Sequence, residues 1–315
     1  MDNIDLQILE ILDNNCRASY DEIGKQLKDH KLTGNAVRTR VVRLVEEGII
    51  DKFVFKINPE VFGVKTCYLK FTCPQKFQCA ENLHRVLEED PHYSEIMTSI
   101  DGITIVNVMG ENEKKLELAI NKLKKILKDY KLDLIIHRYQ PPIEKVEMSS
   151  TLLKVMNVLI DDVRRPVAEI AKECKITSKS VRFYIEQIMQ KDIGRFSINI
   201  QPNKISQRIF LNVFISKANM DHANFMSLLE FITRNLQTVI IKNYLLIEPP
   251  GIFINLTAQS LAEIEQIEYK VRDYLGNDYI FWKMFPSLTI YRNNLLNKIV
   301  KEMVKKNEEE IKKYE

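Results

Sequence analysis

Five polar side chains of the kinds that read DNA lie in one short segment near the amino end: Asn35, Arg38, Thr39, Arg40 and Arg43. The segment contains no acidic residue between Thr33 and Val45, although residues 1–50 hold nine acidic and seven basic residues. Arginine can donate two hydrogen bonds to guanine or clamp a phosphate, and asparagine can pair in the same way with adenine. The segment therefore predicts a helix that enters the major groove of double-stranded DNA; an ordinary solvated helix face is the alternative.

Three short helices are expected to position this segment. Ile4, Ile8, Leu9 and Leu12 fall at helical spacing in the first helix. Ser19 and Glu22 have the spacing of a capping box for the second. In the third, Thr33 serves as the cap, Gly48 ends the helix, and the expected buried positions are Val37, Val41, Leu44 and Val45. With a pair of short strands around 51–57, the pattern predicts a winged helix-turn-helix over residues 1–58.

The same pattern recurs later in the chain. At an offset of 147, the matching pairs are Arg17 and Arg164, Glu22 and Glu169, Ile23 and Ile170, and Lys25 and Lys172. At an offset of 144 they are Thr33 and Thr177, Val37 and Val181, Arg38 and Arg182, and Ile49 and Ile193, and Pro59 corresponds to Pro202. We interpret this as a repeated unit, with a second winged helix-turn-helix over residues 148–202.

The second unit is the less basic of the two. Lys179 and Arg182 occupy the face that matches Asn35 and Arg38, whereas Tyr184 stands where the first copy has Arg40. Its predicted buried positions in the third helix are Val181, Ile185, Ile188 and Met189, and Pro166 is expected in the first turn of the preceding helix. Candidate phosphate contacts from that preceding region are Arg164, Arg165 and Lys172.

A βαββαβ pattern follows each helical trio, which predicts a ferredoxin-like sheet backed by two helices over residues 59–142 and again over 203–290. The expected strands are 66–72, 94–100, 103–109 and 133–139, then 209–216, 238–246, 251–258 and 279–285, with helices at 78–89, 113–130, 222–235 and 260–275. The fold class is therefore α+β, with two tandem units of a winged helix-turn-helix and a ferredoxin-like domain. The two sheets are expected to pack on each other.

An amphipathic helix is expected at 291–315. Its apolar stripe consists of Leu295, Leu296, Ile299, Val300, Met303 and Val304. Packing on its own chain and dimerisation between chains are both open.

Composition excludes several classes of protein. The net charge is only +3, from 46 basic and 43 acidic residues, so contact with nucleic acid has to come from local patches. We expect no membrane span, no signal peptide and a cytoplasmic location, because apolar runs are short and the chain begins MDNIDLQILE. The five cysteines (16, 67, 73, 79 and 174) and five scattered histidines show no metal-ligand spacing, and nucleophile and phosphate-loop motifs are missing from the sequence. We expect no metal, no cofactor and no catalytic residue.

The first 63 residues resemble the Lrp/AsnC (leucine-responsive, feast/famine) transcription regulators. The motifs that carry this resemblance are Asp5-Ile8-Leu9-Leu12, then Arg17-Ser19-Ile23-Gly24, and finally Arg38-Arg40-Val41-Leu44-Gly48-Ile49-Ile50. The resemblance is weaker over 64–140, where it depends on element order. It implies a prokaryotic, nucleoid-associated regulator whose ferredoxin-like (RAM-type) domains sense an amino acid and associate into oligomers, here a dimer of two-unit chains.

The resemblance also implies effector contacts in the loops between the second and third sheet strands. In this sequence these loops contain Ser99, Asp101 and Gly102 in the first copy and Gly251 in the second. An ordinary β-turn is the other interpretation. Sirohaem decarboxylases resemble the same regulators, but residues 48–53 (GIIDKF) lack the basic pair that they usually show. That enzyme, and a scaffold protein with degenerate helix-turn-helix units, remain the alternatives to a regulator.

Overall fold

The computed structural model describes residues 1–27, 31–72, 90–99, 101–128, 130–138, 146–205, 208–217, 221–235, 239–248, 251–276, 279–291 and 294–312. The described helices are α1 (Asn3–Asn14), α2 (Tyr20–Gln26), α3 (Gly34–Glu46), α4 (Glu113–Ile126), α5 (Ser150–Asp161), α6 (Val167–Cys174), α7 (Ser178–Gln190), α8 (His222–Asn235), α9 (Leu261–Leu275) and α10 (Asn294–Lys312). The strands are β1 (Ile50–Ile57), β2 (Lys65–Thr72), β3 (Tyr93–Ser99), β4 (Ile103–Gly110), β5 (Lys131–Arg138), β6 (Gly194–Ile200), β7 (Ile209–Lys217), β8 (Val239–Glu248), β9 (Gly251–Ala258), β10 (Tyr279–Met284) and β11 (Pro286–Tyr291).

The element order of the first half returns in the second half. Three helices, a strand, a short 3-10 turn and a further strand occur from α1 to β2 and again from α5 to β7. The predicted strands and helices of the sheet regions agree with the described ones to within four residues at each end. The helix predicted at 78–89 lies outside the described residues.

Side-chain caps define where the helices begin. The Ser19 side chain accepts a hydrogen bond from the Glu22 amide at 3.2 Å, and Glu22 accepts one from the Ser19 amide at 2.7 Å, as the spacing predicts. Helix α1 begins with a second capping box, between Asp2 and Asp5, that the sequence reasoning missed. Pro166 is the N-cap of α6 rather than a residue of its first turn, so that prediction was one position out.

The expected wing hairpins are not formed in the described regions. One strand follows each helical trio, and β1 pairs with β6 in antiparallel register instead. Val54 lies opposite Ser197, and Phe55 lies opposite Phe196. This pairing satisfies the backbone groups of both strands and lets their apolar faces share one core, which a separate strand in each half would not achieve.

Reciprocal backbone bonds flank the β1–β6 ribbon. The amide of Asn58 donates to the Ile193 carbonyl at 2.9 Å, and the amide of Gln201 donates to the Ile49 carbonyl at 2.9 Å. Asp192, at the position that matches Gly48, has a φ of 49°. The Asn58 side-chain amide donates to the Asp192 carbonyl and carboxylate, each at 3.0 Å, and so supports this uncommon backbone conformation.

The remaining strands form one sheet in the order β10-β7-β9-β8-β5-β2-β4-β3-β11. Strands β5 and β8 join the two halves through a short stretch of antiparallel pairing, in which His137 lies opposite Glu248. The two ends of this order are consecutive in the chain, because β10 ends at Met284 and β11 begins at Pro286. The sheet must therefore curl until its ends meet. Strand β11, which pairs with β3, was not predicted.

The curled sheet brings its two halves into contact through their faces. A buried apolar cluster joins Tyr68, Met97 and Ile105 of the first half with Phe214, Phe253 and Met284 of the second. The Asn212 side-chain amide lies 3.4 Å from the Met97 sulfur across this contact. Two sheets packed on each other were expected; instead one continuous sheet forms, and its two halves contact each other through their faces within the chain. The outer faces are covered by α4 in the first half and by α8 and α9 in the second.

Helix α10 packs within its own chain. Leu295, Leu296 and Val300 are buried in the core that the two helical trios share. At its rim, Lys301 pairs with Asp161 at 3.1 Å and Lys154 with Glu308 at 4.0 Å, so α10 lies along α5. Of the two readings of this helix, the structure supports packing on its own chain.

Candidate nucleic-acid interface

Helix α3 is held by its cap and by one apolar face. The Thr33 hydroxyl accepts a hydrogen bond from the Ala36 amide at 3.3 Å, and Val37, Val41 and Leu44 are buried. Val45 was expected to be buried but is 41% exposed. The buried stripe of α3 is therefore narrower than predicted, and a wider face of the helix meets solvent.

The exposed face of α3 carries Asn35, Arg38, Thr39 and Val42. The Thr39 hydroxyl donates to the Asn35 carbonyl at 3.0 Å, one turn earlier in the helix. The Arg38 guanidinium has no ion-pair or hydrogen-bond partner among the described residues. A cation, an amide and a methyl group are thus presented together on a helix whose buried face fixes its orientation. Such a face fits base edges and phosphates of the major groove.

Arg43 is exposed as expected, whereas Arg40 is half-buried, and both arginines already form ion pairs within the chain. Arg40 pairs with Asp2 at 2.8 Å and with Asp5 at 2.7 Å, and Arg43 pairs with Asp5 at 2.5 Å. The Asp5 side chain is 1% exposed, and the Arg40 side chain is 25% exposed. These two arginines therefore tie α3 to the start of α1.

The pKa values in this ion-pair cluster reflect its geometry. Partial burial raises the pKa of Asp2, but the Asp5 amide and the Arg40 guanidinium lower it by more, so it lies below its ordinary value of 3.8. The hydrogen bond to Asp5 is the main cause that raises the pKa of Arg40. In the neighbouring cap, hydrogen bonds from the Ser19 amide and hydroxyl lower the pKa of Glu22. Asp2, Arg40 and Glu22 are therefore charged at neutral pH.

Helix α7 carries the matching face in the second half. Lys179, Arg182 and Phe183 are exposed, and Tyr184 is half-buried against the core. The Thr177 hydroxyl caps the helix by accepting from the Ser180 amide at 3.1 Å. Met189, which was expected to be buried, is 41% exposed. This face offers two cations and an aromatic ring, and the ring was missed by the sequence reasoning.

Arg17 and Arg164 make equivalent contacts across the two halves. The Arg17 guanidinium lies 5.8 Å from the centroid of the Phe196 ring and donates to the Val163 and Arg165 carbonyls. The Arg164 guanidinium lies 4.9 Å from the Tyr20 ring and 4.9 Å from the Phe53 ring. Desolvation lowers the pKa of Arg17.

The three predicted phosphate contacts of the second half differ in how far they are already engaged within the chain. Arg164 is held between two rings of the first half, and Arg165 pairs with Glu173. Lys172 is exposed on α6. Of these three candidate phosphate contacts, Arg164 and Arg165 already have partners within the chain, and Lys172 is the exposed one.

The proposed effector loops use their polar groups internally. The Ser99 hydroxyl donates to the Asp101 carboxylate and accepts from the Ile103 amide at 3.1 Å, and the Gly102 amide donates to the Ser99 carbonyl at 3.2 Å. A Cβ on Gly251 would lie 2.6 Å from the Ile215 carbonyl oxygen, so glycine is required here by close packing of β9 on β7. These contacts match the β-turn reading of the first loop and give Gly251 a structural role.

No group of His, Cys, Asp or Glu suited to a metal ion occurs within the described ranges. No helix in the part of the chain that the structure describes is both long and apolar enough to cross a membrane.

The geometry of α1, α2 and α3 defines a class of domain. Three capped helices, the third with an exposed polar face, form a helix-turn-helix domain. Residues 1–45 match the AsnC-type helix-turn-helix domain family. The amino-terminal part of the chain is thus an AsnC-type domain, and its resemblance to the Lrp/AsnC regulators is confirmed.

Curated relatives point to the same group. The chain is 41% identical over 95 residues to the HTH-type transcriptional regulator Ptr1 of Methanocaldococcus jannaschii, covering 29% of this chain and 59% of Ptr1. It is 38% identical over 86 residues to the HTH-type transcriptional regulator LrpA of Pyrococcus horikoshii, covering 26% of this chain and 59% of LrpA. The chain therefore spans about three fifths of the length of these two relatives.

Similarity to a solved structure extends over nearly the whole chain. That structure is of the siroheme decarboxylase NirDL, with a TM-score of 0.53 and 12% identity, covering 96% of this chain and 100% of that one. At this level of identity, the likeness shows a shared fold and leaves the activity of this chain open.

Proposed function

We propose that this protein is a sequence-specific regulator of transcription that binds double-stranded DNA through α3 and α7. The observation that carries the proposal is the exposed Asn35, Arg38 and Thr39 face on a capped third helix of an AsnC-type domain. Arg38 supplies a forked donor for guanine or phosphate, and Asn35 supplies a donor and an acceptor for adenine. We propose no enzymatic activity for this face.

The proposal includes a tandem architecture. Each half contributes a helix-turn-helix and a ferredoxin-like domain, and β1 and β6 join the two helical trios in one ribbon. Two such domains in one chain would present two reading helices with a fixed separation. Contacted segments are then expected about 10 bp apart, or a multiple of that distance.

An amino-acid effector, cytoplasmic location and further association of chains belong to the same proposal through the resemblance to Lrp/AsnC regulators. An effector that engaged Asp101 would have to displace its hydrogen bond with Ser99. Association of chains would have to use a surface other than the apolar stripe of α10, because that stripe faces α5.

The proposal is tested by selecting duplexes from a random library with the purified chain, with and without amino acids. A reproducible sequence motif is expected. Binding to that motif should weaken steeply with salt. The logarithm of the association constant should fall linearly with the logarithm of the salt concentration, with a slope of about −0.9 for each phosphate neutralised. No enrichment, together with salt-independent binding, would refute the proposal.

A tetrapyrrole decarboxylase is the second candidate function, favoured by the fold likeness to NirDL over 96% of this chain. Residues 48–53 argue against a tetrapyrrole decarboxylase, because they lack the basic pair usual in such enzymes. A spectral titration with an iron porphyrin that carries acidic side chains separates the two. A saturable shift of the absorption bands would favour the enzyme, and an unchanged spectrum would favour the regulator.

A further inference from the structure

The ring of Phe183 stands out on the reading face of α7. It is 60% exposed, and it lies beside the exposed cations Arg182 and Lys179. Covering apolar surface stabilises a protein by about 25 cal/mol per Å², so an exposed ring gains most when a partner covers it. Because Arg182 and Lys179 are cations, a partner that covers this ring should be anionic and should also carry apolar groups.

The ring is also held in place. Its centroid lies 5.4 Å from that of Tyr184, with an angle of 70° between the two planes. Tyr184 packs against the shared core, so it supports Phe183 from behind. An edge-to-face pair of this kind restricts the ring before any partner arrives.

The matching position on α3 is occupied by Thr39, 144 residues earlier. The Thr39 hydroxyl already donates to the Asn35 carbonyl at 3.0 Å, which leaves its methyl group as the part available to a base. Threonine methyl groups and phenylalanine rings are among the side-chain groups that pack against the 5-methyl group of thymine in the major groove. The two helices thus offer an apolar contact at the same position, but of different size.

The neighbouring positions differ in kind. Asn35 can donate to and accept from adenine, whereas Lys179 at the matching position can only donate, which suits guanine or a phosphate. One helix therefore favours adenine next to its apolar contact, and the other does not.

We propose that the chain recognises an asymmetric duplex site with two unlike half-sites, and that Phe183 sets the sequence of one half by packing on a thymine 5-methyl group. This inference rests on the proposed DNA-binding function. A repeated unit with identical reading faces would favour a palindromic site, whereas these two faces do not match at two of their three central positions.

The test begins with the motif selected by the full chain. Each thymine of that motif is replaced by deoxyuridine, which lacks only the methyl group, and binding is measured for the wild type and for Phe183→Ala. In the wild type, one replacement should weaken binding about fourfold, the equivalent of about 0.8 kcal/mol for one buried carbon. That replacement should fall in the half-site whose selectivity Arg182→Ala also relaxes.

In Phe183→Ala, binding should be weaker and the same replacement should have no further effect. Met189→Ala, which removes another exposed apolar side chain of α7, is the matched control and should keep the wild-type sensitivity. A palindromic motif, or an undiminished deoxyuridine effect in Phe183→Ala, would overturn the inference and leave DNA binding standing. A chain that selects no motif at all would overturn both this inference and the proposed function.

Discussion

Val54 and Ser197 lie directly opposite each other in the β1–β6 ribbon, and they are 143 positions apart in the chain. Pro59 and Pro202, which follow the two strands, are separated by the same interval. The ribbon therefore pairs each strand with its counterpart around this point. The same relationship places Arg17 beside Phe196 and Arg164 beside Phe53, so the two helical trios are joined by equivalent contacts.

Arg38 and Arg40 should respond differently to removal, although both lie on α3. Arg38→Ala should weaken binding to the selected DNA by about 1–3 kcal/mol and leave the free energy of unfolding unchanged, because its side chain is exposed. Arg40→Ala should instead lower the free energy of unfolding, because it leaves the buried Asp5 with one fewer cation. Urea denaturation and a DNA-binding titration on both variants measure this. Equal stability of the two would contradict the structural role of Arg40.

Arg38 and Arg182 occupy matching positions on α3 and α7, and Arg38 should contribute more to DNA binding. The α3 face contains an amide that can read adenine in addition to its arginine, whereas α7 has a lysine there. Arg38→Ala should therefore weaken DNA binding more than Arg182→Ala. Titrations at one salt concentration compare them, and equal or reversed losses would show that α7 contributes at least as much as α3.

Asp2 should stabilise the fold only while its carboxylate is charged. Its pKa is lowered in the folded protein, so its contribution is present above the ordinary value of 3.8 and is lost as the pH falls through the lower folded value. Asp2→Asn keeps a capping side chain and removes the charge. Because Asp2 is half exposed, the loss at pH 7 should be small, about 0.2–1 kcal/mol.

Unfolding of wild type and Asp2→Asn measured from pH 7 down to about pH 2 tests this. The difference between the two proteins should disappear at the acid end. Glu46→Gln, an exposed charge change on α3, is the control and should cost little at any pH. A difference that persists at low pH would mean that the carboxylate charge is not the cause.

Arg164 should behave as a structural residue and Lys172 as a DNA contact. Arg164→Ala removes a guanidinium from between two rings and should cost about 1–2 kcal/mol of stability. The salt slope of DNA binding should then stay unchanged, whereas Lys172→Ala should reduce it by about 0.9 if that exposed lysine meets a phosphate. A reduced salt slope in Arg164→Ala would instead identify Arg164 as a phosphate contact.

Helix α10 should contribute to the stability of its own chain. Leu296 is fully buried, so Leu296→Ala should cost about 2–5 kcal/mol, whereas the exposed Leu118 on α4 should tolerate the same change. Removing residues 292–315 should likewise lower the unfolding temperature. Sedimentation of the shortened chain measures the mass of its oligomer. A lower oligomer mass with unchanged stability would contradict this prediction and identify α10 as a dimerisation helix.

The sequence by itself was sufficient for the local features of this protein. The cap at Ser19, the buried Val37 and the bounds of α8 depend on neighbours within a few positions, and their patterns predict them directly. The repeat, too, was visible from matched residue types such as Arg38 and Arg182. Val45 and Met189 were misplaced because apolar character does not reveal which positions at the rim of a helix are covered.

Only the tertiary structure decided which of the predicted DNA contacts are already engaged. Arg40 meets Asp2 and Asp5 across more than thirty positions, and Arg164 reaches rings that lie more than a hundred positions earlier. The pairing of β1 with β6 and of β11 with β3 is likewise long-range. Charge and hydrogen-bonding capacity are properties of a residue type, whereas the partner that satisfies them depends on how distant segments pack in space.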